Sequence, residues 1–97
     1  MKNFKIVNID AVLNELRDHK LHGRVKFKLF RNKKLCEEAL EVIYETLKNV
    51  EDVDEQNEIL DEEYDIELVK FTLEELDTLP LSMMDLAHLE PIIEEEN

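Results

Sequence analysis

Residues 52–63 read DVDEQNEILDEE and offer the densest set of candidate metal-binding oxygens in the chain. Numbered as a calcium loop, Asp52, Asp54, Gln56 and Glu63 occupy positions 1, 3, 5 and 12, with Ile59 at the apolar position 8. A calcium loop needs glycine at position 6 for its sharp turn, and Asn57 stands there. The following segment also alternates like a strand, where a calcium loop leads into a helix. The reading adopted is therefore a solvated acidic connector with no metal and no cofactor. His19 and His22 lack a third ligand nearby and are assigned to helix capping and surface. Cys36, the single cysteine, excludes a disulfide framework and reads as a small buried hydrophobe on a helix. Glu37, Glu41 and Glu45 recur every four residues and form a carboxylate ladder along one helix face. No phosphate-cradling glycine loop, serine-nucleophile elbow or zinc-protease motif occurs. The expectation is a protein that is not an enzyme.

Charge is sharply divided. Residues 1–36 carry ten Lys or Arg and three acids, whereas residues 37–97 carry two Lys and twenty-two acids. The formal net charge is −13. That balance argues against nucleic-acid binding, because the acidic part repels phosphate. It leaves open two uses of the acidic segment: a solvated face, or a mimic of a nucleic-acid backbone that docks on a basic partner. Glu58, Asp61, Glu62 and Glu63 are the contact residues of the second reading.

The elements that hold these residues are mostly helical. Ninety-seven residues fit one domain, residues 1–97, and one glycine with two prolines disfavours a many-stranded fold. Lys2–Val7 alternates and reads as a short strand. Ile9, Val12, Leu13 and Leu16 follow helical spacing, giving a first helix over about 9–20 with Asn8 as its cap and Gly23 closing it in the left-handed region. Leu29, Cys36, Leu40, Ile43, Leu47 and Val50 define a long second helix over about 25–50. Its first part is ambiguous, since Val25, Phe27 and Leu29 also alternate like a strand. Tyr64, Ile66 and Leu68 alternate with acids and predict a strand over 64–70, which needs a partner for its backbone groups. Thr72–Glu75 and Ser82–Asp85 are capping-box patterns that open two short helices, ended by Pro80 and Pro91.

Helices this short are unstable alone. Leu73, Leu76, Leu79, Leu81, Met83, Leu86, Leu89 and Ile92 are therefore assigned to the core, leaving Met84 and Ile93 to meet a partner. The fold expected is mainly α with a minor β element (α+β). It is a helical hairpin with a long second helix, one or two short strands and two C-terminal capping helices. The length of the second helix argues for self-association into a homo-oligomer. No apolar run reaches the roughly 20 residues of a membrane span, and the first ten residues lack the apolar stretch of a secretory signal.

The two ends together resemble a family of small proteins encoded by phages and prophages of Gram-positive bacteria. At the start the likeness rests on Leu13-Asn-Glu-Leu16, Lys20-Leu21 and Gly23-Arg24. At the end it rests on residues 66–95, IELVKFTLEELDTLPLSMMDLAHLEPIIEE, with an S-x-x-D-L and an L-E-x-I-I pattern. Family members often carry a longer Lys/Glu-rich helix where this chain has residues 51–63. The resemblance implies a phage origin and helix over residues 24–34, and it transfers no catalytic residue. A non-enzymatic phage protein is expected, working through a phage or host protein partner in virion assembly or as an accessory factor. Its place would be the host cytoplasm or the virion. The alternative is an acidic nucleic-acid-mimic inhibitor of a host defence or DNA-handling enzyme.

Overall fold

A computed structural model describes residues 1–94. Five helices follow in order: α1 (Asn3–Leu16), α2 (Gly23–Leu47), α3 (Val53–Asp61), α4 (Leu73–Asp77) and α5 (Met83–Leu89), the last running into a 3-10 turn over Glu90–Ile92. The molecule is mainly helical, as expected. Its 25-residue α2 is about 38 Å long at ~1.5 Å per residue and runs most of the 42 Å long dimension.

The core is the α1–α2 hairpin closed by α5. Ile6, Ile9, Leu13 and Leu16 recur at intervals of three and four on α1 and are buried. From α2 they meet Val25, Leu29, Cys36, Ala39, Leu40 and Ile43. The C-terminal segment contributes Phe71, Leu76, Leu79, Leu89 and Ile92 to the same cluster.

Several boundaries differ from expectation for physical reasons. Residues 3–7 are helix, not strand. Ile6 is in register with Ile9 and Leu13, while Phe4 turns partly to solvent, so the apparent alternation is one turn of an amphipathic helix. Asn8 is thus interior to α1, which ends at Leu16, not near residue 20. Gly23 does hold a positive φ of 60°, but it opens α2 after a six-residue connection from the end of α1. The acidic residues 53–61, expected as a connector, form α3. Asp52 caps it by accepting the Asp54 N–H at 2.9 Å, and Gln56 donates to the Val50 carbonyl at 2.7 Å.

The β element is the largest correction. Among the described residues no strand forms, and only two isolated bridges occur, Lys2–Glu63 and Phe71–Ile93. Residues 65–70 are irregular, and their carrier is one side chain. Asn32, fully buried on α2, donates from Nδ2 to the Val69 carbonyl at 2.9 Å and accepts the Val69 N–H on Oδ1 at 2.8 Å. Lys28 adds a bond from Nζ to the Lys70 carbonyl at 2.9 Å. A carboxamide thus offers the donor and acceptor that a neighbouring strand would have offered. The segment lies on a helix with no sheet partner.

Candidate protein-interaction surfaces

The acidic segment takes a shape that a calcium loop cannot. Its 12-residue frame would have to wrap around an ion, and nine of those residues are instead the helix α3. Among the described residues no group of three or more His, Cys, Asp or Glu could hold a metal ion. Of the four predicted contact residues, Glu58 is exposed on α3. The other three lie where α3 meets the start of α1. Asp61 accepts Lys2 Nζ at 2.8 Å, Glu63 lies 2.9 Å from the Met1 ammonium, and the Glu62 carbonyl accepts the Asn3 N–H at 3.0 Å. The hydrogen bond and charge of that ammonium hold the Glu63 carboxyl below its usual range. Asp61 and Glu63 therefore already have cationic partners within the fold.

Cys36 is buried beside Asp10 and Lys33. Burial first, and the Asp10 charge second, push its thiol up to about 12, so it stays protonated and unreactive at neutral pH. Lys33 instead pairs with Asp10 at 2.6 Å, a largely buried bridge between α2 and α1. His19 and His22 are exposed, and His22 makes no side-chain cap bond to α2.

The apolar C-terminal segment divides more evenly than expected. Of the eight residues assigned to the core, Leu76, Leu79, Leu89 and Ile92 are buried. Leu81 is half-buried, while Leu73, Leu86 and above all Met83, at 89%, are exposed. Met84 is exposed. Ile93 is half-buried and packs on the core beside its bridge to Phe71.

Two of the exposed residues, Leu73 and Leu86, share one groove. Leu73, Leu76, Leu79, Leu81 and Leu86 line one groove between α4 and α5, with Glu74 and Asp77 at its edge. Two capping boxes set its walls. Thr72 Oγ1 accepts the Glu75 N–H at 3.2 Å while Glu75 Oε1 accepts the Thr72 N–H at 2.8 Å. Ser82 and Asp85 repeat the exchange at 3.1 Å each way. Each box satisfies two donors that a short helix would leave orphaned. The Pro80 break keeps the two helices from merging, so their apolar sides stand apart and open to solvent.

A second exposed surface was not foreseen as a site. Phe27 and Phe30 are 69% and 70% exposed on the outer side of α2. Lys26, Arg31 and Lys34 surround them, and Lys26 Nζ stands 5.4 Å over the Phe27 ring. The signal was present in the sequence. Once residues 23–35 are helix, Val25, Leu29, Asn32 and Cys36 define the inner face, and Phe27 and Phe30 must point away from it. No helix of the described residues is long and apolar enough to cross a membrane. No family model matches this chain, and no curated protein or solved structure matches it either.

Proposed function

We propose that the chain acts by binding another protein through the α4–α5 groove, not by catalysis, as a phage-encoded factor of virion assembly or an accessory of infection in the host cell. The observation that carries this reading is the groove itself. Leu73 and Leu86 leave apolar surface open in a leucine-lined cleft, and Met83 and Met84 are exposed on α5. Contiguous apolar surface of this kind marks interaction sites, and methionine adapts its shape to what it meets. The acidic rim of Glu74 and Asp77 selects a partner with basic flanks. An amphipathic helix with apolar anchors three and four residues apart fits such a groove.

The second reading keeps the acidic mimic. What supports it is that α3 buries none of its residues and presents Asp54, Glu55 and Glu58 to solvent. One experiment separates the two. The wild-type chain, a Leu73→Glu/Leu86→Glu chain and an Asp54→Lys/Glu55→Lys/Glu58→Lys chain are immobilised and used to capture proteins from phage-infected Gram-positive cells. Both substituted sites are exposed, so each variant should keep its helical circular dichroism. Groove binding requires a partner retained by wild type and by the lysine chain but lost by the glutamate chain. The reverse pattern selects the mimic. A partner lost by neither variant, or no partner for the wild-type chain, overturns both.

A further inference from the structure

We propose that the outer face of α2 is a self-association surface on which a second copy of the chain packs antiparallel, forming a two-fold dimer. This face shares no residue with the α4–α5 groove. Charge is ordered along one exposed stripe of it. Phe27, Phe30, Lys34, Glu37, Glu41 and Tyr44 are all exposed and recur at alternating intervals of three and four, so they form one seam along the helix. The N-terminal half of that face is aromatic and basic, with Lys26, Arg31 and Lys34. The C-terminal half is acidic, with Glu37, Glu38, Glu41 and Glu45.

Within the single chain these charges are almost wholly unspent. Among the described residues, Lys26, Arg31, Lys34, Glu38, Glu41 and Glu45 take part in no ion pair. Glu37 reaches only Lys33, at 3.5 Å. The carboxylates three and four apart repel each other, offset only by the Lys33–Glu37 contact. No described element of the chain covers this face.

A second copy does so in one orientation. Antiparallel pairing centred between residues 35 and 36 sets Lys34 against the other copy's Glu37, Phe30 against Glu41 and Phe27 against Tyr44, each pair occurring twice by symmetry. Arg31 comes beside Glu38. Parallel pairing would instead oppose Lys34 to Lys34 and each glutamate to itself. The aromatic contacts supply most of the affinity and the charges set the direction, because exposed ion pairs contribute little alone. A single-helix interface is small, and each chain carries a net charge of −13, so the dimer forms in a concentration-dependent way.

The test is a charge swap read by sedimentation equilibrium. The wild-type chain should move with concentration from its 11.5 kDa mass toward twice that value. Phe30→Ala should raise the dimer dissociation constant roughly tenfold. A chain with Lys26→Glu, Arg31→Glu and Lys34→Glu has an all-acidic face, and one with Glu37→Lys, Glu38→Lys, Glu41→Lys and Glu45→Lys an all-basic face. Each should be monomeric alone, and the two mixed should form a one-to-one dimer. All these sites are exposed, and circular dichroism checks that both variants remain helical. Lys34→Cys mixed with Glu37→Cys should cross-link faster than either alone, with buried Cys36 left out of the reaction. A wild-type chain monomeric at every concentration overturns the proposal. So does a dimer indifferent to both swaps, or an acidic and a basic variant that fail to pair.

Discussion

The helices α4 and α5 begin with the same device and are held to the protein by opposite means. In α4 the capping carboxylate is also a tertiary anchor. Glu75 accepts the Thr72 N–H at 2.8 Å and Lys28 Nζ at 2.6 Å on the same oxygen, with its side chain only 15% exposed. Lys28 and Asn32, one turn apart on α2, bind the backbone just before α4. In α5 the Ser82–Asp85 box is exposed and bonds only to itself. That helix is held from its other end, where Leu89 and Ile92 are buried in the core. A capping box thus fixes where a helix starts, while its neighbours decide whether the cap also fastens the helix. The groove between the two needs this arrangement, for both helices are fixed while Leu73 and Leu86 stay open to solvent.

The sharpest break of the comparison is at the apolar anchor. Leu89→Ala should destabilise the protein by about 4 kcal/mol, as a fully buried leucine does. Met83→Ala, six residues earlier on the same helix, should stay within about 0.5 kcal/mol. Urea titration of both variants checks the difference. Next comes the polar anchor of α4. Asn32→Ala removes the partners of both Val69 backbone groups and should cost about 3 kcal/mol, at about 1–3 for each unsatisfied group. Glu75→Ala should cost about 2 kcal/mol, since it loses a cap and leaves Lys28 partly buried without its carboxylate. Asp85→Ala loses a cap alone and should cost about 1 kcal/mol or less. Equal losses at Glu75 and Asp85 would erase the distinction between the two boxes.

The same contrast explains what the sequence revealed. Both capping boxes were legible because a cap is local, needing only residues three apart. The inner face of α2 was legible because six apolar positions repeat at helical spacing. The partner of residues 64–70 was not legible. A strand and a segment bonded to a helix side chain share the same alternation, and nothing marks Asn32 as the residue that reaches Val69. Helix α3 was hidden for another reason. None of its residues is fully buried and only Leu60 packs against the core, so no apolar periodicity announces it, and its Asp52 cap was lost among so many acids. The exposed leucines of the groove were misassigned because short helices must be supported somewhere. Leu89 and Ile92 proved sufficient for α5, which released Met83 and Leu86.

The finest probe of the comparison is pH. Burial works against the charge of Glu75, but hydrogen bonds from Lys28 and Thr72 outweigh it, so its carboxyl lies below the ordinary value of 4.5. A carboxyl with a lowered folded-state pKa contributes stability that is complete above its unfolded-state pKa. That contribution is lost as pH falls through the folded-state value. The melting-temperature gap between wild type and Glu75→Gln should therefore be constant from neutral pH down to about 5 and close as pH falls through the lowered folded-state value. Glu63 is also held below its usual range, by the chain's own ammonium, but it is fully exposed and screened by salt. Repeating the titration at about 0.5 M salt should leave most of the Glu75 gap and remove any from Glu63→Gln. A Glu75 gap that vanished with salt would mean that its bond to Lys28 is a surface contact, and α4 would then be fastened no differently from α5.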